Sequence, residues 1–166
     1  MLGIAIKRDR NSCSISLNQT AFINRLVSHF NLSDAHPVET PMTQGLQICC
    51  PDKLIPPDPE LLEWIEQTPY RKLIRSLNYI AITTQPNISF TMGHLASVLD
   101  CYHPEHWSTG LHVLRYLKGT CSLRLVLGSL MPSVLSGFCN SDYANCQDTS
   151  RSVAGYCFRL GSGIIS

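Results

Sequence analysis

Basic residues at helical spacing are the first feature with a chemical use. Arg71, Lys72, Arg75, Arg115 and Lys118 fall in two segments where apolar residues recur every three or four positions, so they line the polar sides of helices. Clustered cations of that kind track the phosphates of a nucleic acid. The same run also reads as an ordinary solvated helix face. Trp107 and Tyr116 offer rings on which bases stack, but Trp107 sits on an apolar stripe, which favours core packing, while Tyr116 falls off it. His103 and His106 stand three apart at a helix start with no Cys or carboxylate partner at a useful spacing, so capping and packing explain them better than a metal. Asp148 to Ser152, with Arg151 between hydroxyls, suits a phosphate clamp or a polar turn between strands.

The eight cysteines show no paired C-x-x-C spacing, which argues against structural zinc. They read as small apolar core residues and a few exposed thiols of a reducing compartment. Hydrophobic residues make up 44% of the 166, enough for one domain or two small ones. Thirteen Lys and Arg nearly cancel twelve Asp and Glu, so any surface for nucleic acid has to be local. Met1 to Arg10 places a short apolar run before its basic cluster, the reverse of a secretory signal. No stretch approaches the roughly 18 apolar residues of a membrane span. The expectation is an intracellular protein, cytoplasmic or nuclear, with no membrane partner.

The elements that must position these residues follow from periodicity. Ile4 and Ile6, then Cys13, Ile15 and Leu17, alternate with polar residues on either side of Arg8 to Asn11, the pattern of a hairpin with one buried face. Asn18 is a candidate cap for a short helix through Phe22, Ile23, Leu26, Val27 and Phe30, with Asn31 as its stop. Residues 36–59 carry six prolines and read as a long crossing segment without regular structure. Thr68-Pro69 predicts a helix start, and Tyr70, Leu73, Ile74, Leu77, Ile80 and Ala81 its buried stripe, up to Gln85-Pro86. A second helix is expected from Asn87 through Leu99, with Gly93 admitting a close neighbour. A third starts at His103-Pro104, buries Trp107, Leu111, Leu114 and Leu117, and stops at a left-handed Gly119. After Thr120 the pattern turns to β: Leu123, Leu125 and Leu127, then Val134 to Cys139 and Val153 to Leu160, before a turn at Gly161-Ser162-Gly163.

Several of these blocks resemble one family. Tyr70-Arg71-Lys72-Leu73-Ile74-Arg75-Ser76-Leu77-Asn78-Tyr79-Ile80 with Thr84-Gln85-Pro86-Asn87-Ile88 is similar to the Y-R-x-L-I-G-S-L-x-Y-L and T-R-P-D-I signature of copia-type retrotransposon Pol polyproteins. His106-Trp107 with Val113 to Thr120 resembles H-W-x(5)-V-L-R-Y-L-K-G-T, and Asp148 to Ser152 with Gly155-Tyr156 resembles D-T-R-R-S-T-S-G-Y. Leu2-Gly3-Ile4 and Leu17-Asn18-Gln19-Thr20 are similar to F-L-G-I and L-S-Q-T. The blocks lie in family order across nearly the whole chain.

The resemblance implies the end of a reverse transcriptase and the start of its ribonuclease H. Residues 1–17 would be the hairpin that grips the primer, 18–122 the thumb and connection with the Pro-rich crossing at 36–59, and 123–166 a partial ribonuclease H β segment. The polymerase's paired aspartates would precede Met1. In Phe138-Cys139-Asn140-Ser141-Asp142-Tyr143-Ala144, Asn140 falls where the family's Y-x-D-A-D-W-A supplies its metal-bridging Asp, and Asp142 is a residual acidic position. Two-metal hydrolysis needs several carboxylates, and Asn offers a hard cation only a neutral oxygen. No complete catalytic site is therefore expected, nor a cofactor for this chain, although the parent family uses Mg²⁺. Arg75 stands at a family Gly, and Gln85 and Asn87 replace an Arg and an Asp at a helix junction.

The expected fold class is α+β: an N-terminal β-hairpin, a helical thumb-like bundle and a partial C-terminal ribonuclease H-like sheet. The expected function is that of a non-catalytic fragment of a Pol polyprotein whose parent is an RNA-directed DNA polymerase with ribonuclease H. Two alternatives stand beside it. One is a module that binds RNA–DNA or DNA duplex, or docks on a full-length element polymerase and interferes with it. The other is a piece of a longer active polyprotein.

Overall fold

A computed structural model of the chain describes residues 3–46, 48–50, 58–128, 134–141, 152, 154–161 and 163–165. The fold is α+β: five α-helices and two small antiparallel sheets among the described residues. The chain divides into two units, one of residues 1–19 with 123–166, the other Thr20–Ser122.

In the first unit β1 (Ala5–Asp9) and β2 (Ser14–Asn18) form the expected hairpin. Its turn is closed by Asp9, whose carboxylate accepts the backbone N–H of Asn11 at 2.9 Å; the Ser12 hydroxyl first, then the N–H groups of Asn11 and Ser12, hold the Asp9 carboxyl below its ordinary range. The apolar alternation does set the register, with Ile6 opposite Leu17, but it does not bury a face: Ile6 is 70% exposed. On its other side β2 pairs with β3 (Leu125–Leu127), so the apolar Leu125 and Leu127 continue the ladder of the hairpin. A second sheet holds β4 (Leu135–Ser141), β5 (Ala154–Leu160) and β6 (Gly163–Ile164) in that order. It meets the first where β6 approaches β3: a Cβ on Gly163 would stand 2.9 Å from a methyl of Leu127.

In the second unit α1 (Thr20–His29) begins two residues after the expected cap. Asn18 is instead the last residue of β2, and the Thr20 hydroxyl donates to the Cys121 carbonyl at 2.7 Å. The stop at Asn31 is as expected. Its φ of 56° is left-handed, and Leu32 N–H reaches the Val27 carbonyl while Asn31 N–H reaches Ser28, the paired bonds of a Schellman end. Next comes α2 (Pro59–Gln67), a helix absent from the sequence expectation. Its start is Asp58-Pro59, a capping carboxylate followed by a residue with no N–H to lose.

The longer helices carry the core. In α3 (Tyr70–Thr83) every residue of the expected stripe is buried, though its N-cap is Pro69 without a side-chain bond. Thr68 instead closes the end of α2 through its N–H to Trp64. A 3₁₀ turn (Pro86–Ile88) leads into α4 (Ser89–Ser97), and among the described residues nothing lies within 4 Å of a Cβ built on Gly93, so none of them approaches closely there. In α5 (Pro104–Gly119) the buried stripe is His106, Thr109, Gly110, Val113, Leu114 and Leu117, rotated about one position from the expected one, with Trp107 and Leu111 half-buried at its edge. Gly110 sets that rotation by letting α5 approach Leu73 of α3, whose methyl lies 2.9 Å from where a Cβ would be. Gly119 is not left-handed; the helix passes through it to a cap at Thr120.

The cysteines depart from the expectation of scattered thiols: Cys50 and Cys101 are joined by a disulfide with Cα atoms 5.7 Å apart. Pairing depends on spatial rather than sequence proximity, which is why a search for C-x-x-C passes over it. Among the described residues no helix is long and apolar enough to cross a membrane.

Candidate nucleic-acid interface

The five cations singled out from the sequence divide into two groups. Arg71, Lys72 and Arg75 lie on the exposed side of α3. Arg71 pairs with Asp100 at 2.6 Å, an exposed ion pair of small energetic weight. Lys72 donates to Nε2 of His29 on α1 at 2.9 Å, which fixes that imidazole nitrogen as an acceptor. Arg75 makes no hydrogen bond or ion pair among the described residues and is exposed, so a long side chain at a position where the family has Gly meets no obstacle.

The other two cations belong to α5 and face the backbone of residues 32–36. Lys118 Nζ donates to the carbonyls of Ser33 and Ala35 at 2.5 and 2.8 Å and more weakly to Leu32 at 3.4 Å. Arg115 Nε donates to the His36 carbonyl at 2.8 Å, and one turn earlier His112 Nε2 donates to Thr40 at 2.9 Å. Ammonium and guanidinium groups donate strongly to carbonyl oxygens, and these bonds fasten the start of the Pro-rich crossing along one side of α5. Three donors at steps of three residues make a row on one helical face.

The end of α5 is also tied to the junction after α3. Gln85 is 2% exposed and its Nε2 donates to the Thr120 carbonyl at 3.1 Å, while Asn87 Nδ2 donates to the Tyr116 hydroxyl at 2.6 Å. The two amides that replace a charge pair thus secure the junction by neutral bonds, and the Tyr116 hydroxyl has a protein partner. Trp107 meets Phe30 edge-on at 5.8 Å between centroids, a packing contact. His106 is buried with its Nδ1 accepting the His103 N–H at 2.9 Å, so this pair caps the helix. Burial pushes the His106 imidazole below its ordinary range, and Glu105 partly opposes this.

Two basic residues escaped the sequence reading: Arg25, whose guanidinium lies 5.7 Å from the Phe22 ring centroid, and His29. The signal was legible in principle, since they stand four apart on exposed positions of a helix with no acidic residue.

Asn140 lies on β4, exposed and opposite Gly155. Residues 142–151 lie outside the described residues, and with them Asp142 and all but Ser152 of the Asp148 to Ser152 stretch read as a clamp or turn. Strands β4, β5 and β6 contain no Asp or Glu, and no group of three metal-ligating side chains occurs among the described residues. A divalent cation depends on carboxylate charge, and Asn140 offers it only a neutral oxygen.

No family model and no solved structure matches the chain. Among known proteins it is similar to the retrovirus-related Pol polyprotein from transposon TNT 1-94 of Nicotiana tabacum, 33% identical over 166 residues, which are 100% of this chain and 12% of that protein. The corresponding polyprotein from transposon RE2 of Arabidopsis thaliana is 30% identical over 99% of the chain and 11% of its own length. An uncharacterized mitochondrial protein of Arabidopsis thaliana is 28% identical over 99% of the chain and 64% of its own length. The chain thus spans about an eighth or less of the transposon polyproteins that it matches.

Proposed function

We propose that the chain, similar along its whole length to retrovirus-related Pol polyproteins of transposons, is the stretch in which reverse transcriptase ends and ribonuclease H begins. The observation that carries the reading is similarity to such polyproteins along the whole chain, with its sequence blocks in family order. In this reading Thr20–Ser122 is the thumb and connection, a helical body that holds template and primer and does no chemistry. A compact body of packed helices with exposed cations is suited to that task, because phosphate contacts fix position rather than sequence.

The β4–β6 sheet is then the opening of ribonuclease H, with the neutral Asn140 in the place of its bridging carboxylate. An amide leaves the charge of two divalent ions uncompensated, so the stretch by itself does not cleave. The test is a primer and template for incorporation and a labelled RNA–DNA hybrid for cleavage, with Mg²⁺ or Mn²⁺. The expected result is no product above a matched Asp142→Asn control, and turnover above that control refutes the reading.

The relatives' length favours a second reading, in which the same stretch works inside a longer active polyprotein. Sequencing the transcript decides between the two. A frame that runs upstream into paired aspartates and downstream into further carboxylates supports the second.

A further inference from the structure

Independently of that reading, we propose that the Cys50–Cys101 bridge is a reversible redox latch, which holds or frees residues 41–50 while the helices stay packed. The placement of its two ends carries this. Cys50 belongs to the crossing segment and Cys101 to the link between α4 and α5, so neither sulfur sits in a helix or strand that would have to break. Both cysteines are half-buried, packed against the edge of the core rather than enclosed in it. An attacking thiol has to reach one sulfur of a disulfide, and a bridge at the rim admits that approach without unfolding. In the intracellular chain expected from the sequence, a bridge of this kind is ordinarily transient and redox-sensing.

The fastenings on either side bound what the latch releases. Before it, Lys118, Arg115 and His112 hold the chain to α5 as far as Thr40. After it, the Tyr102 hydroxyl donates to the Ile65 carbonyl at 2.7 Å and its ring lies 6.2 Å from that of Trp64, which keeps α2 beside the link that carries Cys101. A reductant leaves both fastenings intact. Between them Cys49 is hydrogen-bonded through its backbone to the His106 imidazole, and Ile48 packs half-buried against the core. With the bridge open, residues 41–50 rest on weak ties of this kind. The reductant is a dithiol. One of its thiolates attacks a sulfur of the bridge, the Sγ–Sγ bond breaks, and the other cysteine leaves as a thiolate that takes up a proton. The second thiol then resolves the mixed disulfide, so that two electrons and two protons pass to Cys50 and Cys101 and the dithiol becomes a disulfide. A small-molecule disulfide reverses the sequence.

The test follows the full chain through dithiothreitol and then oxidised glutathione, well below the melting temperature of the reduced form. Iodoacetamide labelling with peptide mapping is expected to find Cys50 and Cys101 protected at first, labelled together in reductant, and protected again as the same pair after oxidation. Amide exchange of residues 41–50 is expected to quicken about tenfold or more on reduction, with residues 32–40 and α3 changing less than about twofold. Cys50→Ser should show the fast exchange with and without reductant. If the two cysteines become labelled only as fast as α3 exchanges, the bridge opens only through unfolding and is a staple, not a latch. Unchanged exchange of residues 41–50 after complete reduction shows that the bridge holds nothing there. Re-closure through Cys49, or no closure at all, likewise overturns the proposal.

Discussion

A Cβ placed on Gly119 would stand 3.0 Å from the Cβ of Pro37, so the last turn of α5 and the crossing segment touch closely enough that a methyl group there would push Pro37 back by a few tenths of an ångström. The segment cannot easily retreat, because Arg115 and Lys118 hold the carbonyls of Ser33, Ala35 and His36 from the same helix. Gly119→Ala should gain up to about 1 kcal/mol of helix propensity and lose about 1–3 kcal/mol to overpacking. The expected net effect is a loss of about 1 kcal/mol in urea unfolding. A rise in the midpoint would show that the segment yields.

Gly110 and Gly93 form a matched pair of opposite sign. Gly110→Ala presses a methyl group on the fully buried Leu73 and should cost about 1–3 kcal/mol. Gly93→Ala meets open space on α4 and should stabilise by roughly 0.5–1 kcal/mol. Thermal melts of the two variants should therefore move in opposite directions.

Lys118 is the strongest fastener of the crossing segment. Lys118→Met keeps much of the apolar stem and removes the donors to Leu32, Ser33 and Ala35, with an expected loss of about 1–3 kcal/mol. Amide exchange of residues 32–40 should quicken more than that of α3. Equal acceleration throughout would mean that the bonds secure nothing local.

His106 makes the helical unit sensitive to acid. Its imidazole is depressed by burial, so the unfolded chain binds more protons than the folded one once pH falls through the ordinary histidine value of about 6.5. The contribution is neutral above that value, destabilising below it, and levels off under the depressed folded value. Urea midpoints measured from pH 7.5 down to about 5 should fall less in His106→Gln than in the unaltered chain. Parallel curves would assign the acid sensitivity elsewhere.

The disulfide closes a loop with a sequence separation of 51, from the crossing segment to the link before α5. Chain entropy assigns such a loop about 4 kcal/mol, and reducing agent should lower the melting temperature accordingly. Cys101→Ala should then be insensitive to reductant.

Helix pattern was legible where burial follows one dominant stripe, as in α3, because the apolar spacing of Tyr70 to Ala81 leaves only one way to hide those side chains. It failed by one position in α5, where the small Gly110 rather than the large Trp107 decides which face comes closest to α3. It missed α2, whose start at Asp58-Pro59 is masked by neighbouring prolines that argue for irregular chain. The candidate site was half visible. Periodicity puts Lys72 and Arg75 on the solvent side of α3, but only the contacts of Phe22 with Tyr79 and His29 with Lys72 bring Arg25 and His29 beside them. The disulfide and the carbonyl partners of Arg115 and Lys118 join residues too distant in sequence for any local pattern to reveal.

The central position of β2, between β1 and β3, has a consequence for the order of assembly. Ile15 can find Leu127 only after all of Thr20–Ser122 has been synthesised, so during translation the hairpin waits with one edge bare. Closing that ladder over so long a span is entropically slow, whereas the contacts of α3 with α4 are short-range and quick. The helical body is therefore expected to set first, and the strand that joins the two ends of the chain to zip last.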